Sequence, residues 1–163
     1  HKFSGFTIIV YQLRPESRGE IRLKSASPAD PPAMIPNYLT DPLDQQTIVA
    51  GLKLCREVLA QPQLARFIAE EFQPGPRVAS DADLLDYARQ RGGTVYHPTS
   101  TCTMGTGPLA VVDPELKVHG IAGLRVADAS VMPTVISGNT NAATIMIGEK
   151  LSDMVRDRRR MAA

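Results

Sequence analysis

Tryptophan is absent from this sequence, cysteine occurs only twice, and the longest apolar runs fall far short of the ~20 residues that cross a bilayer. With no charged, apolar and then small-residue leader at its start, the chain reads as a soluble, mature segment, and His1 and Lys2 as a ragged edge. Cys55 stands on an apolar helical face and Cys102 among small polar residues, which excludes a disulfide framework and favours a reducing compartment. An excess of charge is lacking too. Lys and Arg number 18 against 17 Asp and Glu, so there is no electrostatic case for a nucleic-acid partner.

Repeats and low-complexity tracts are also missing, and so is a dinucleotide fingerprint. The nearest approach, Gly105 to Ala110, spells G-x-G-x-x-A but follows a polar loop, contains Pro108 and leads into the extended-looking AVVDPELKV. No helix start follows it that could hold a pyrophosphate. His97, Cys102 and His119 match none of the usual zinc spacings, so no metal site is expected, and a metal-dependent hydrolase built on His97 and His119 is the weaker rival reading.

What is present is a series of well-marked elements. FTIIVYQL, residues 6–13, is β-prone and mostly apolar, as a central strand would be, and Glu20 to Lys24 alternates like a half-buried strand, so the two form a hairpin in prospect. Four prolines between Ser25 and Pro36 describe an ordered surface connection. Asp41-Pro42-Leu43-Asp44 is a helix start, and Ile48, Leu52, Cys55 and Leu59 recur at helical spacing to about Ala60. A shorter helix from Pro62 to about Phe72 is expected, then a third, DADLLDYARQ, capped by Ser80 with Asp83 and closed by Gly92-Gly93.

The stretch RVADASVMPTVISGNTNAATIMIGEK, residues 125–150, organises the rest. Leu124 to Ala127 has the length of a buried strand and stops at Asp128; a Ser/Pro/Gly-rich turn follows, and Asn139-Thr140-Asn141 opens a long apolar helix. Such a helix start favours an anion or an electron-rich oxygen. The helix ends in Arg156, Arg158, Arg159 and Arg160 with Asp153 and Asp157 interleaved, which suits the dipole of a solvated end. Upstream, Thr94-Val-Tyr reads as a strand that delivers His97 to its end, held out of helical geometry by Pro98. Taken alone, a strand-end His or Asp and a helix-start Asn have ordinary structural uses, and spacing does not make them converge. Met104, Met132 and Met146 read as core, and His119 as an exposed strand or turn residue.

Together YHPTSTCTMG, GLRVADASVMP and SGNTNAATIMIGEK resemble the C-terminal part of the glucose-methanol-choline (GMC) oxidoreductases, with the Asn form of the third motif most similar to the choline dehydrogenase branch. The resemblance continues upstream through RPESRGEIRLKSASPADPPAMIPNYLTDP. It implies an α+β fold, a mostly antiparallel sheet covered by helices, with residues 1–123 on the substrate side and 124–163 a strand and helix that complete the FAD site. The FAD-binding half itself is expected outside this chain. Implied roles are catalysis for His97, as acceptor of the alcohol proton, and for Asn139, as a hydrogen-bond donor to the alcohol oxygen. Asp128 and Ala129 would meet the ribityl or pyrophosphate region, and Asn141, Ala142 and Thr144 would bring the helix start to the flavin. The implied partners are a small alcohol, the missing half and an electron acceptor that the sequence does not name. A cytoplasmic location, with peripheral attachment to the inner membrane left open, goes with this. A quaternary ammonium substrate wants an aromatic cage, and with four Phe and four Tyr any cage would draw on residues outside this chain. A non-catalytic binding or assembly module of the same fold is the alternative from another class.

Overall fold

Helices carry most of the regular structure in the computed structural model, which describes residues 3–161, with side chains from 3 to 156. His1, Lys2 and the side chains of Asp157, Arg158, Arg159 and Arg160 lie outside the described residues. The chain divides into two compact units, His1–Gly19 with Met34–Gly93, and Glu20–Ala33 with Thr94–Ala163. This division follows contacts within the chain.

In the first unit α1 spans Pro42–Leu59 and starts as its sequence predicts: Asp41 is the N-cap, its carboxylate accepts from the Leu43 amide at 2.8 Å, and Pro42 opens the helix where a missing N–H costs nothing. Val49 is buried, and Ile48, Leu52, Cys55 and Leu59 are half-buried on the same side. Helix α2 is a single turn, Pro62–Ala65, and not the longer helix expected to Phe72. Helix α3, Asp81–Arg91, carries the full capping box, Ser80 and Asp83 each bonding the other's backbone, and packs on α1 through the fully buried Leu84 and the buried Ala88.

Asp44 departs from a simple first-turn acid. It is 2 % exposed, and its two oxygens accept from the amides of Glu16 at 2.9 Å and Ser17 at 2.7 Å. Burial pushes its carboxyl up, but the hydrogen bonds from Glu16 and Ser17 outweigh that and hold it below the ordinary carboxylate value. The turn before Gly19 is thereby fastened to α1.

The expected central strand 6–13 is not formed: among the described residues this run has no regular structure and joins no sheet. Val10 packs so closely on α1 that a Cβ on Gly51 would collide with it, while Phe6 and Ile9 are 59 % and 68 % exposed. β-Propensity describes fit to a neighbouring strand, and no strand is assigned over this run. The expected hairpin with Glu20–Lys24 is likewise absent. Instead β1, Glu20–Arg22, pairs with β2, Ala33–Ile35. The mostly antiparallel, helix-covered sheet is thus reduced, among the described residues, to two antiparallel strands of three residues each.

The second unit is built from loops around a small core of Val112, Leu116 and Val131, with Met104, Val118, Val126, Ile147 and Leu151 packed against it. Val112, fully buried, stands between two single-residue pairings, parallel with Met104 and antiparallel with Val118. Leu124 to Ala127 does not form a regular strand; Arg125 bridges Lys117, and Val126 donates to the Leu116 carbonyl. Asp113 organises the turn between these pieces. Its carboxylate accepts from the amides of Lys117 and Glu115, which lowers its pKa. A 3₁₀ turn, Ala129–Val131, packs on the closing helix α4, Asn141–Met161. Among the described residues no helix is long and apolar enough to cross a membrane.

Candidate active site

His97 does not end a strand. Residues 94–100 are irregular, Tyr96 takes a left-handed conformation (φ 62°), and its amide is turned onto the Thr94 hydroxyl at 2.9 Å. Pro98 still keeps His97 out of a helix, and the turn leaves the imidazole half-buried. Its Nδ1 lies 3.0 Å from Oγ1 of Thr140, a residue 43 positions further along the chain and only 7 % exposed.

Three backbone links hold the stretches around this pair. The amides of Cys102 and Met104 donate to the carbonyls of Ser130 and Val131, each at 2.9 Å, so the loop after His97 is laced to the 3₁₀ turn. That turn follows Asp128, whose Oδ1 accepts from the Ser130 amide at 2.7 Å. The Thr144 amide donates to the Thr140 carbonyl at 2.9 Å, making Thr140 the residue at which α4 begins. The three motifs quoted from the sequence therefore meet in one region of the second unit.

Within that region the expected site residues take the following places. Asn139 is exposed and precedes Thr140. Asn141 and Ala142 are exposed in the first turn of α4. Thr144 is half-buried and spends its hydroxyl proton on the Thr140 carbonyl at 2.9 Å. Asp128 is exposed, its Oδ1 accepting from the Ser130 amide, and among the described residues no hydrogen bond to its Oδ2 is made; Ala129 is half-buried beside it. Met132 is buried and Met104 half-buried, but Met146, expected in the core, is 53 % exposed beside Ile145 at 58 %. One turn into α4 an apolar step thus borders the polar helix start.

This arrangement suits a flavin. Exposed helix-start amides favour the charge that develops on a reduced isoalloxazine ring, and Ala142 offers them no obstruction. The open oxygen of Asp128 can accept from a ribityl hydroxyl and would repel a phosphate, so of the two flavin regions expected for it the ribityl chain fits better.

Cys55 and Cys102 are both half-buried and free. His119 is exposed, its Nε2 lying 3.0 Å from the Gly105 carbonyl oxygen. Among the described residues no group of three or more His, Cys, Asp or Glu side chains could hold a metal ion. Thr140 is the residue that reasoning from sequence passed over. It stood inside a motif as part of a helix start, and nothing local signals that its hydroxyl turns to a distant imidazole.

With this geometry in view, comparison with known proteins defines the class. The GMC oxidoreductase family model, that of the C-terminal domain, matches residues 15–148, and the chain belongs to that family of oxidoreductases. Over 151 residues it is 47 % identical to an alcohol dehydrogenase [acceptor] of Pseudomonas putida, covering 93 % of this chain and 27 % of the relative. An oxygen-dependent choline dehydrogenase of Paraburkholderia phymatum is 43 % identical over 161 residues, 99 % of this chain and 28 % of that protein. An FAD-dependent oxidoreductase from Chaetomium thermophilum superimposes with a TM-score of 0.82 at 32 % identity, covering 92 % of this chain and 26 % of that one. The chain spans little more than a quarter of the length of each of these proteins.

Proposed function

We propose that this chain is the C-terminal, substrate-side portion of an FAD-dependent alcohol dehydrogenase of the choline dehydrogenase type, which oxidises an alcohol to an aldehyde. The observation that carries this reading is the contact between His97 and Thr140, which joins the imidazole to the start of α4 one residue from Asn139. FAD, when bound, supplies the hydride acceptor. The chain's own residues prepare the alcohol. With Nδ1 of His97 occupied, Nε2 is the nitrogen that takes the hydroxyl proton, and a carbinol loses hydride more readily once its oxygen carries negative charge. Asn139 has no basic nitrogen, so its part is to donate from its amide to that oxygen. Asp128 would hold ribityl hydroxyls beside Ala129, and Asn141, Ala142 and Thr144 would bring the α4 start to the ring. The rest of the FAD site belongs to the portion that this chain does not span. The names of relatives support an alcohol substrate, choline among them.

His97→Ala in the full-length enzyme should slow flavin reduction by the alcohol by about 10²-fold or more, followed by anaerobic stopped-flow absorbance. An unchanged rate would remove His97 from the chemistry.

A further inference from the structure

The reading above gives Thr140 no task, although it is the most buried residue at the start of α4. A threonine at a helix start ordinarily turns its hydroxyl to the amides of the first turn. This one accepts the first helical bond with its carbonyl and holds its hydroxyl oxygen 3.0 Å from His97 Nδ1.

We propose that Thr140 is a positioning residue for His97, fixing both the plane of the imidazole and its tautomer. The inference rests on His97 acting as the base. A base at Nε2 needs its lone pair there, so the ring proton must sit on Nδ1, from which it donates to Thr140 Oγ1. Nothing in this bond changes when Nε2 gains the substrate proton, because an imidazolium donates from both nitrogens. The hydroxyl therefore holds the ring through the whole proton transfer without moving. Among the described residues no other hydrogen bond to the His97 ring is made, so removing this one leaves the ring free to turn over and present the wrong nitrogen. Because Thr140 follows Asn139 directly, the same contact also sets the imidazole relative to the backbone that carries the carboxamide.

The test uses the full-length flavoenzyme with 15N-labelled histidine, the His97 signals being assigned by their loss in His97→Gln. Long-range 15N–1H correlation should show neutral His97 protonated at Nδ1. Thr140→Val keeps the branched shape and loses the hydroxyl. It should mix the two tautomers and slow flavin reduction about 10-fold at saturating alcohol, while the KM for the alcohol changes less than about 2-fold. Thr140→Ser should restore most of the rate and the single tautomer. A parent enzyme protonated at Nε2 overturns the proposal without requiring any variant to fold. So does a Thr140→Val enzyme with parental rate and tautomer when His97→Ala is slow. If His97→Ala itself reacts at the parental rate, the base reading falls, and the inference falls with it.

Discussion

A single carboxylate shows how much one residue can contribute when its partners lie far away in sequence. Asp44 accepts from two amides 27 and 28 residues upstream, and those bonds favour its ionised form. Its pKa in the folded chain is below the unfolded value of about 3.9, so the stabilisation is fully present above that value and is lost as pH falls through the folded pKa. Asp44→Asn keeps the size but turns an amide group toward an amide donor. It should cost about 2 kcal/mol at pH 7 in urea denaturation, with the gap between parent and variant closing below about pH 4. From sequence, Asp44 was legible as an acid favoured by the helix dipole. Its burial was not, because nothing near it announces which distant amides it will meet. Thr140 escaped notice for the same reason, whereas His97 and Asn139 were singled out as candidates through motifs that resemble the family's.

Among elements, helix starts were legible and strands only in part: β1 lies within the expected strand 20–24, but its partner is not the expected one. The start of α1 is written in adjacent residues, Asp41 and Pro42, and the capping box of α3 in Ser80 and Asp83, so reading them needs no knowledge of the rest of the chain. Asp41→Ala should accordingly lower stability by about 1 kcal/mol and leave the helix in place, measurable as a small drop in Tm with unchanged helical circular dichroism. A strand is defined by its neighbour. Residues 6–13 have every local mark of a strand and no ladder partner among the described residues, while β1 and β2, with weaker marks, find each other. The end of α2 was misjudged because the residues after Ala65 have acceptable helix propensity but no packed face to sustain further turns.

At the scale of the whole molecule, the family was legible from three motifs spread over the chain. The chain spans about 27–28 % of its curated relatives, and the cofactor-facing residues proposed here form one side of a site. Purified alone, it should therefore show no flavin absorbance in the visible region after incubation with FAD and desalting. Stoichiometric retention of the yellow cofactor would mean that this portion holds it unaided.

Irregular structure of this kind is easily mistaken for mobile structure. Val112 is wholly enclosed between the Met104 and Val118 pairings, and the Gly105 amide donates to its carbonyl at 2.9 Å while the His119 amide donates to that of Val111 at 3.0 Å. Opening either bond means dismantling the core around Val112. Those two amides should exchange with deuterium as slowly as the middle of α1, so that a loop without regular structure is among the last parts of the chain to label.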